Sequence, residues 1–246
     1  MKFKRNIKVE WYDTDANRIV SPSRMMVYMM ETANMQCVEY GFDLDRLRDS
    51  HGLGFILGGI QASFLKPLYT GDEITVHTWC RAARGYNFIR YFEIKKEGEV
   101  VALASSSWAL LDVVNKTMIR GDESYDCFFP YDEPIDNALL PRRARTSKKE
   151  MVEAGTRRIV YSDIDYNMHM NNTRYPNMLC DFLPDMNGKR LSALSMTYLR
   201  EAPLGAELTV LRTKPCSDDA TGEFELRTLD ANGNVCLEAV VNVENI

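Results

Sequence analysis

The chain has 246 residues, of which 45% are apolar and 26% are charged, so it can bury a sizeable core as one large domain or two smaller ones. Its formal net charge of −5 argues against a general affinity for nucleic acid, because the phosphate backbone requires a basic surface. The longest apolar stretches, 25–30 and 100–111, are far shorter than the roughly 20 residues of a transmembrane helix, so no membrane span is expected.

The first ten residues mix basic and isolated apolar side chains and predict a strand. A secretory signal would need an apolar run of about 7 to 15 residues, which this segment does not contain. The six cysteines are scattered, and no pair has the short spacing of a zinc knuckle or a redox dithiol. We therefore expect reduced thiols.

After this strand, the first half continues with a loop of the form DxDxN at 13–17. A serine and a proline at 21–22 then predict the start of a helix, since proline fits the first helical turn. Apolar residues recur at helical spacing until Gly41, where we expect the helix to end. Strands of alternating pattern follow, including 73–79, and a glycine-containing turn at 96–98 predicts a hairpin.

The middle of the chain differs in composition from both halves. It holds several prolines and acidic residues and then a run of arginines and lysines, which is typical of a linker. We therefore expect a first module at 1–120, a linker at 121–155 and a second module at 156–246.

The second half has its own DxDxN loop at 163–167, a shorter helix at 175–182, an alternating strand at 207–211 and a hairpin turn at 232–233. Each half is thus predicted to be an α+β module in which an antiparallel sheet wraps one helix. That arrangement is a hotdog, and two such modules in one chain predict a tandem, or double, hotdog fold.

An internal repeat supports this division. Residues 11–17 resemble 161–167 at an offset of 150, and residues 71–76 resemble 205–210 at an offset of 134. The first copy therefore carries 16 additional residues between these blocks, which include a predicted extra loop at 49–54. Blocks that return in the same order are difficult to attribute to chance.

The DxDxN loop of the second half is unusually rich in groups that can do chemistry. Asp165, Asn167 and His169 alternate, so on an extended segment they would project to one side and converge on one cleft. The helix start that follows adds unpaired backbone N–H groups, which can stabilise an oxyanion formed at an acyl carbonyl. The first copy has Ile19 where the second has His169, which predicts a single catalytic site at the junction of the two modules.

Structural roles compete with catalytic ones in this segment. Asp163, Asn171 and Asn172 are equally consistent with helix caps or turn formers. The spacing of the carboxylates and the imidazole matches no common zinc or calcium motif. We therefore expect neither a metal nor any other cofactor.

The segment 165–175, with the sequence DYNMHMNNTRY, resembles the DxNxHxNNxxY signature of the acyl-carrier-protein thioesterases of plant plastids and bacteria. The resemblance extends over nearly the whole chain and includes 11–17, 59–75 and 194–201. It implies a double hotdog that hydrolyses fatty acyl thioesters of acyl carrier protein, which releases the fatty acid and ends chain elongation.

The resemblance also implies which residues act. The catalytic aspartate, asparagine and histidine of the family correspond to Asp165, Asn167 and His169, and a glutamate on a later strand corresponds to Glu201. Many relatives have a cysteine directly after that glutamate, where this chain has Ala202. A cysteine nucleophile is therefore not supported.

In the reaction, either Glu201 or Asp165 would be the general base or nucleophile, and Asn167 would be a positioning donor. His169 would polarise the carbonyl or relay a proton. The thiolate leaves easily, since its conjugate thiol has a pKa near 8.5. Cys180 lies within the predicted second helix, where the role of a small buried hydrophobic residue is favoured.

By the same resemblance, the first module holds the acyl chain, and its additional residues would limit the chain length. For the methionines of the first helix we favour ordinary core packing, with one or two lining the pocket. The carrier protein is expected to be acidic, and a cationic run offers a landing site for it, although a solvated linker is equally consistent. This run comprises Arg142, Arg143, Arg145, Lys148 and Lys149, extended by Arg157 and Arg158.

A tandem chain supplies both halves of a hotdog pair and could act as a monomer, whereas exposed sheet edges favour a homodimer. The lack of a transit-like segment favours the bacterial cytoplasm.

Three other functions are alternatives to the main one. The first is an acyl-CoA thioesterase of the same fold. The second is a hotdog dehydratase or hydratase, against which the DxNxHxNN run argues. The third is a noncatalytic acyl-binding protein, in which Asp165 and Glu201 would be buried in mutual hydrogen bonds.

Overall fold

The computed structural model describes residues 2–41, 43–121, 132–145, 149–215 and 220–246. The helices are α1 (Pro22–Glu39), α2 (Leu44–His51) and α3 (Tyr175–Asp181). The strands of the first half are β1 (Phe3–Lys8), β2 (Leu53–Phe64), β3 (Glu73–Cys80), β4 (Phe88–Lys96), β5 (Glu99–Asp112) and β6 (Thr117–Ile119). The strands of the second half are β7 (Met151–Arg158), β8 (Lys189–Tyr198), β9 (Glu207–Thr213), β10 (Gly222–Leu229) and β11 (Val235–Asn245). None of the described helices is long and apolar enough to cross a membrane.

The described strands form one antiparallel sheet in the order β1-β3-β4-β5-β2-β8-β11-β10-β9-β7, with β6 paired to β5. The first five strands of this order mirror the last five, because β1, β3, β4, β5 and β2 correspond in turn to β7, β9, β10, β11 and β8. The repeat in the sequence is therefore a repeat in the order of the strands.

The two halves meet where β2 pairs with β8, from Gly59 opposite Thr197 to Ser63 opposite Ala193. A Cβ atom added to Gly59 would lie 2.8 Å from the carbonyl oxygen of Met196, closer than real Cβ contacts allow. Glycine at this position therefore permits the close approach of the two backbones at the seam.

The first helix begins and ends as predicted. The Ser21 hydroxyl accepts a hydrogen bond from the Arg24 N–H group at 3.3 Å, and Pro22 occupies the first turn. α1 ends at Glu39, shortly before Gly41, which has a φ of +78°. The cap, the proline and the glycine together confirm the predicted boundaries.

The main hydrophobic core runs through both halves and includes residues of α1, α3 and the sheet. This core joins Met25 and Met29 of α1 to Leu194 of β8. The two helices also bind each other, because the N–H group of Ser23 donates to the Asn177 side chain and the N–H group of Asn177 donates to the Ser23 hydroxyl, each at 3.0 Å. The architecture is the predicted tandem hotdog.

The additional residues of the first half lengthen its helix and supply α2. α1 has 18 residues and α3 only 7. The prediction of a loop at 49–54 is wrong, since α2 extends to His51 and β2 begins at Leu53. The Asp43 carboxylate caps α2 at its start, and Gly52, in the left-handed region, ends it. These are ordinary helix signals, but the short helix buries no residue and so lacks an apolar pattern.

The predicted linker is partly structured. β7 begins at Met151, inside the segment 121–155, so composition located the start of the second half a few residues too late. Further upstream, the N–H group of Ala144 donates to the Ser195 hydroxyl at 2.8 Å, and the Thr197 hydroxyl donates to the Ala144 carbonyl at 2.9 Å. This part of the segment is therefore hydrogen-bonded to β8 at the seam and is not a solvated tether.

Besides Arg157, which pairs with Asp163, two members of the cationic run are held in ion pairs. Arg142 lies 2.6 Å from Glu225 and 3.0 Å from Glu223, and Lys149 lies 2.7 Å from Glu225. The Arg142 guanidinium holds the pKa of Glu223 below its ordinary value. The charge that these two cations could offer to a partner is thus largely balanced within the chain.

Candidate active site

The DxDxN loop of the second half is a tight turn. The N–H group of Asp165 donates to the His169 carbonyl at 3.3 Å, and the N–H group of Met168 donates to the Asp165 carbonyl at 2.9 Å. Met168 has a φ of +64°, and the Asp165 carboxylate accepts from the Asn167 N–H group at 2.9 Å. The prediction of an extended segment is therefore wrong, because this Asx-type hydrogen bond folds the chain back on itself.

The turn nevertheless brings His169 to Glu201. The N–H group of Met170 donates to the Ala202 carbonyl at 2.8 Å, and His169 pairs with Pro203 in an isolated bridge. As a result, His169 Nε2 lies 3.6 Å from Glu201 Oε1. The sequence placed Glu201 on a strand, but the structure places it in the loop after β8, which ends three residues earlier.

The two members of this pair differ in exposure. The His169 side chain is 23% exposed, whereas the Glu201 side chain is 72% exposed. The noncatalytic alternative would require Glu201 to be buried against Asp165, and this exposure argues against it. The geometry provides an imidazole partly shielded from solvent beside a carboxylate that is open to it.

The Asp165 carboxylate is engaged by amide donors on both oxygens. Besides the Asn167 N–H group, the Asn171 side-chain amide donates to it at 3.0 Å. The Asn171 side-chain oxygen in turn accepts from the N–H group and the hydroxyl of Thr173, at 2.9 and 2.7 Å. Asn171 is thus the cap of the following 3-10 turn, Asn172–Arg174, as one of the two sequence interpretations proposed.

The Asn167 side chain is exposed and points to a residue that sequence reasoning missed. Its Oδ1 atom accepts a hydrogen bond from Arg48 Nη1 of α2 at 2.7 Å. The Arg48 guanidinium also lies 5.9 Å from the ring centroid of Tyr166. No local signal could reveal a contact between residues 119 positions apart.

Two other residues of the second half have structural roles. Asp163 is buried and closes the preceding 3-10 turn, since it accepts from the Arg157 guanidinium at 2.7 Å and from the Val160 N–H group at 3.0 Å. Burial, reinforced by the carboxylates of Asp181 and Asp15, raises the pKa of the Cys180 thiol to about 12. A thiol that remains protonated at neutral pH is a poor nucleophile.

The first half contains a counterpart of this turn with the same backbone hydrogen bonds. The N–H group of Asp15 donates to the Ile19 carbonyl at 2.8 Å, and the N–H group of Arg18, whose φ is +63°, donates to the Asp15 carbonyl at 2.9 Å. The N–H group of Val20 donates to the Leu68 carbonyl at 2.8 Å, as Met170 does to Ala202. This correspondence places Ile19 at the position of His169 and Pro67 at that of Glu201.

A cavity of about 370 Å³ lies beside the first-half turn, a size that suits a small molecule. Ile19, Met25 and Leu68 of the first half line it, together with Leu191 of the second half. Asp15 is also part of its wall, and burial raises the pKa of this carboxyl. Among the methionines of α1, Met25 lines this cavity.

Across the described residues, no group of three or more histidine, cysteine, aspartate or glutamate side chains is arranged to hold a metal ion. The functional groups at the second-half turn come from four side chains. They comprise a carboxylate and an imidazole in contact, a second carboxylate that organises the turn, and an amide at its tip.

Comparison with known proteins identifies the family of this chain. The model of the acyl-ACP thioesterase N-terminal domain matches residues 1–125, and that of the acyl-ACP thioesterase C-terminal domain matches residues 146–242. The chain therefore belongs to the acyl-ACP thioesterase family. It is 24% identical over 250 residues to the chloroplastic palmitoyl-acyl carrier protein thioesterase of Gossypium hirsutum, a match that covers 92% of this chain and 59% of that protein.

Solved structures confirm the fold. The acyl-ACP thioesterase from Bacteroides thetaiotaomicron superposes with a TM-score of 0.84 at 21% identity, over 98% of this chain and 97% of the other. The 12:0-ACP thioesterase from Umbellularia californica gives a TM-score of 0.82 at 17% identity, over 100% and 98%. The chain spans about 60% of the length of the first curated plant relatives that it matches.

Proposed function

We propose that this chain hydrolyses fatty acyl thioesters of acyl carrier protein and releases the free fatty acid and the holo carrier protein. The contact of 3.6 Å between His169 and Glu201, formed in a chain of this family, carries the proposal. The names of the relatives support the reaction and the substrate class, since the Gossypium protein acts on palmitoyl-acyl carrier protein.

We assign the role of general base to Glu201. Both oxygens of Asp165 already accept amide hydrogens, whereas Glu201 is largely exposed and contacts His169. Glu201 would remove a proton from a water molecule as its oxygen bonds to the thioester carbon, and would pass that proton to the His169 imidazole 3.6 Å away. Asp165 would then maintain the turn.

The remaining steps follow from charge. The carbonyl oxygen becomes an oxyanion when the water attacks, and the Asn167 side-chain NH2 group would donate a hydrogen bond to it. Collapse of the intermediate breaks the carbon–sulfur bond, and the sulfur leaves as a thiolate. The protonated imidazole of His169 would return the proton to that thiolate, whose conjugate acid has a pKa near 8.5.

The test is release of free thiol from a panel of acyl carrier protein and CoA thioesters. We expect wild-type turnover and a loss of about 100-fold or more in kcat for His169→Ala and Glu201→Ala. Glu207→Ala, which removes an exposed carboxylate from the same half, is the matched control and should retain full activity. Circular dichroism would verify that each variant is folded. An activity that neither site substitution changes would refute the assignment.

The panel also decides the carrier. We propose that the acidic carrier protein docks near Arg143 and Arg145, which form no ion pair within the described residues. Because Arg142 and Lys149 are balanced by acidic neighbours, the expected patch is smaller than the cationic run of the sequence. Added salt should raise KM for the carrier-linked substrate and leave KM for acyl-CoA nearly unchanged. Equal KM values and salt responses for both carriers would favour the acyl-CoA alternative.

We propose that one chain contains the complete site, since both hotdog halves are present, and that any homodimer forms through the edge strands β1 and β7. Light scattering of the purified protein would decide between monomer and dimer.

The bacterial cytoplasm remains our proposal for the compartment, supported by the free thiols of Cys37, Cys80, Cys180 and Cys236. The curated relatives are chloroplastic.

A further inference from the structure

The exposed helix α2 contributes one contact to the proposed active site. Arg48 Nη1 donates to Asn167 Oδ1 at 2.7 Å, and the same guanidinium lies against the ring of Tyr166. α2 belongs to the additional residues of the first half, and the second half has no corresponding helix among its described residues. The contact therefore has no counterpart at the first-half turn.

At that first-half turn, Asn17 occupies the position of Asn167 and is fully engaged by backbone. Its side-chain NH2 group donates to the carbonyls of Met186 and Lys189, at 2.6 and 2.9 Å. Its oxygen accepts from the Gly188 N–H group at 2.9 Å. These bonds leave no donor on Asn17 for a ligand.

Asn167 is held differently. Only the oxygen of an amide can accept from a guanidinium, so the bond from Arg48 settles which end of the amide faces α2. The NH2 group then points away from Arg48, and it has no partner among the residues that the structure describes. A positive charge beside the oxygen also makes the NH2 group a stronger donor.

We propose that Arg48 is a positioning residue that orients the Asn167 amide, so that its NH2 group is presented to the acyl carbonyl. This inference rests on the thioesterase function proposed above. The cation has a second effect of the same sign, because a positive charge near the site favours the developing oxyanion. The additional residues of the first half thus serve the site of the second half.

The kinetic test compares three variants on acyl carrier protein and acyl-CoA substrates. Arg48→Met should lower kcat about 10- to 100-fold on both substrates and leave KM within about twofold, since a misplaced group affects the chemical step. Arg48→Lys should restore part of kcat, because it retains a cationic donor. Arg46→Met, which removes a neighbouring exposed arginine from the same helix, should be silent. A rise in KM confined to the carrier protein would overturn the inference in favour of docking.

The coupling to Asn167 is tested separately. In an Asn167→Ala background, Arg48→Met should reduce kcat by less than about twofold, since the amide on which it acts is gone. An undiminished loss in that background would contradict the role.

A nonkinetic measurement distinguishes this inference from the proposed function. The Asn167 side-chain NH2 signals, assigned in a ¹⁵N spectrum by their loss in Asn167→Ala, should shift in Arg48→Met and not in Arg46→Met. Unshifted signals would overturn the contact whatever the activity. If the signals shift in Arg48→Met but the wild-type protein shows no turnover, the contact is confirmed, and both the function and the role of Arg48 in it are refuted.

Discussion

The turn at 15–19 and the turn at 165–169 share a backbone and differ in what their side chains do. In both, an aspartate carboxylate accepts from the N–H group two residues later, and a residue with positive φ closes the turn. The first carries Ile19 and an asparagine bonded to backbone, whereas the second carries His169 and an asparagine held by one arginine. The turn itself is therefore a structural unit, and its two copies differ in the side chains that they present.

The largest expected effect comes from making the second turn resemble the first. His169→Ile should lower kcat about 100- to 10,000-fold, since it removes the imidazole that moves protons. The fold should be retained, because Ile19 occupies the same backbone position in the first half. Thiol release measures the first effect, and the thermal midpoint, Tm, measures the second. Near-wild-type kcat in this variant would refute the assignment of His169.

The reverse exchange asks whether a histidine and a glutamate are sufficient for activity at the first-half turn. Ile19→His combined with Pro67→Glu should not create a second active site, because the Asn17 amide remains bonded to the segment 186–189. The measurement is thiol release by the double variant in a His169→Ala background. Restored turnover would show that a histidine and a glutamate are sufficient, and that the amide contributes little.

The asparagines should differ in stability. Asn17→Ala should lower the free energy of unfolding by about 2 to 3 kcal/mol, since three hydrogen bonds to backbone are lost and the two carbonyls among their partners are left partly buried. Asn167→Ala should lower it by less than about 0.5 kcal/mol, because its single bond is exposed. Denaturant unfolding of both variants gives the two values. A loss of the same size for both would contradict the contrast.

The smallest effect concerns the first-half carboxyl. Burial raises the pKa of Asp15 above its ordinary value, so its charge opposes folding. Its favourable contribution is complete below the unfolded pKa and is lost as pH rises through the folded pKa. Asp15→Asn retains an oxygen for the turn. Its stability relative to wild type should increase from pH 3 to pH 7, by less than about 1 kcal/mol because the group is half exposed. A gain that shrinks with rising pH would refute this sign.

Much of the fold was predictable because its signals are local. Ser21, Pro22 and Gly41 mark α1 through capping and backbone preference, and the repeat in sequence became a repeat in strand order. The shape of the DxDxN loop was not predicted correctly. Alternation suggested an extended segment, but the hydrogen bond from the Asn167 N–H group to Asp165 folded it. A side chain that bonds its own backbone overrides a pattern read from spacing.

α2 and the start of β7 show the limits of composition. Asp43 and Gly52 were valid helix signals, but the helix between them has no apolar face by which to recognise it. The segment before Met151 looked like a linker because it is rich in proline and charge. Its contact with β8 depends on hydrogen bonds of Ala144 with Ser195 and Thr197. No local preference of the segment indicates that these residues are its partners.

By itself, the sequence determined that the chain is a tandem of two similar modules and that the second module carries the group of residues suited to chemistry. Periodicity, caps and the internal repeat are properties of neighbouring residues, so they can be seen without the fold. Only the tertiary structure decided that Glu201 faces His169 and that Arg48 faces Asn167. Such pairs form when separate segments pack side by side, and the energy that brings them together comes from the core and the sheet, not from the pairs themselves.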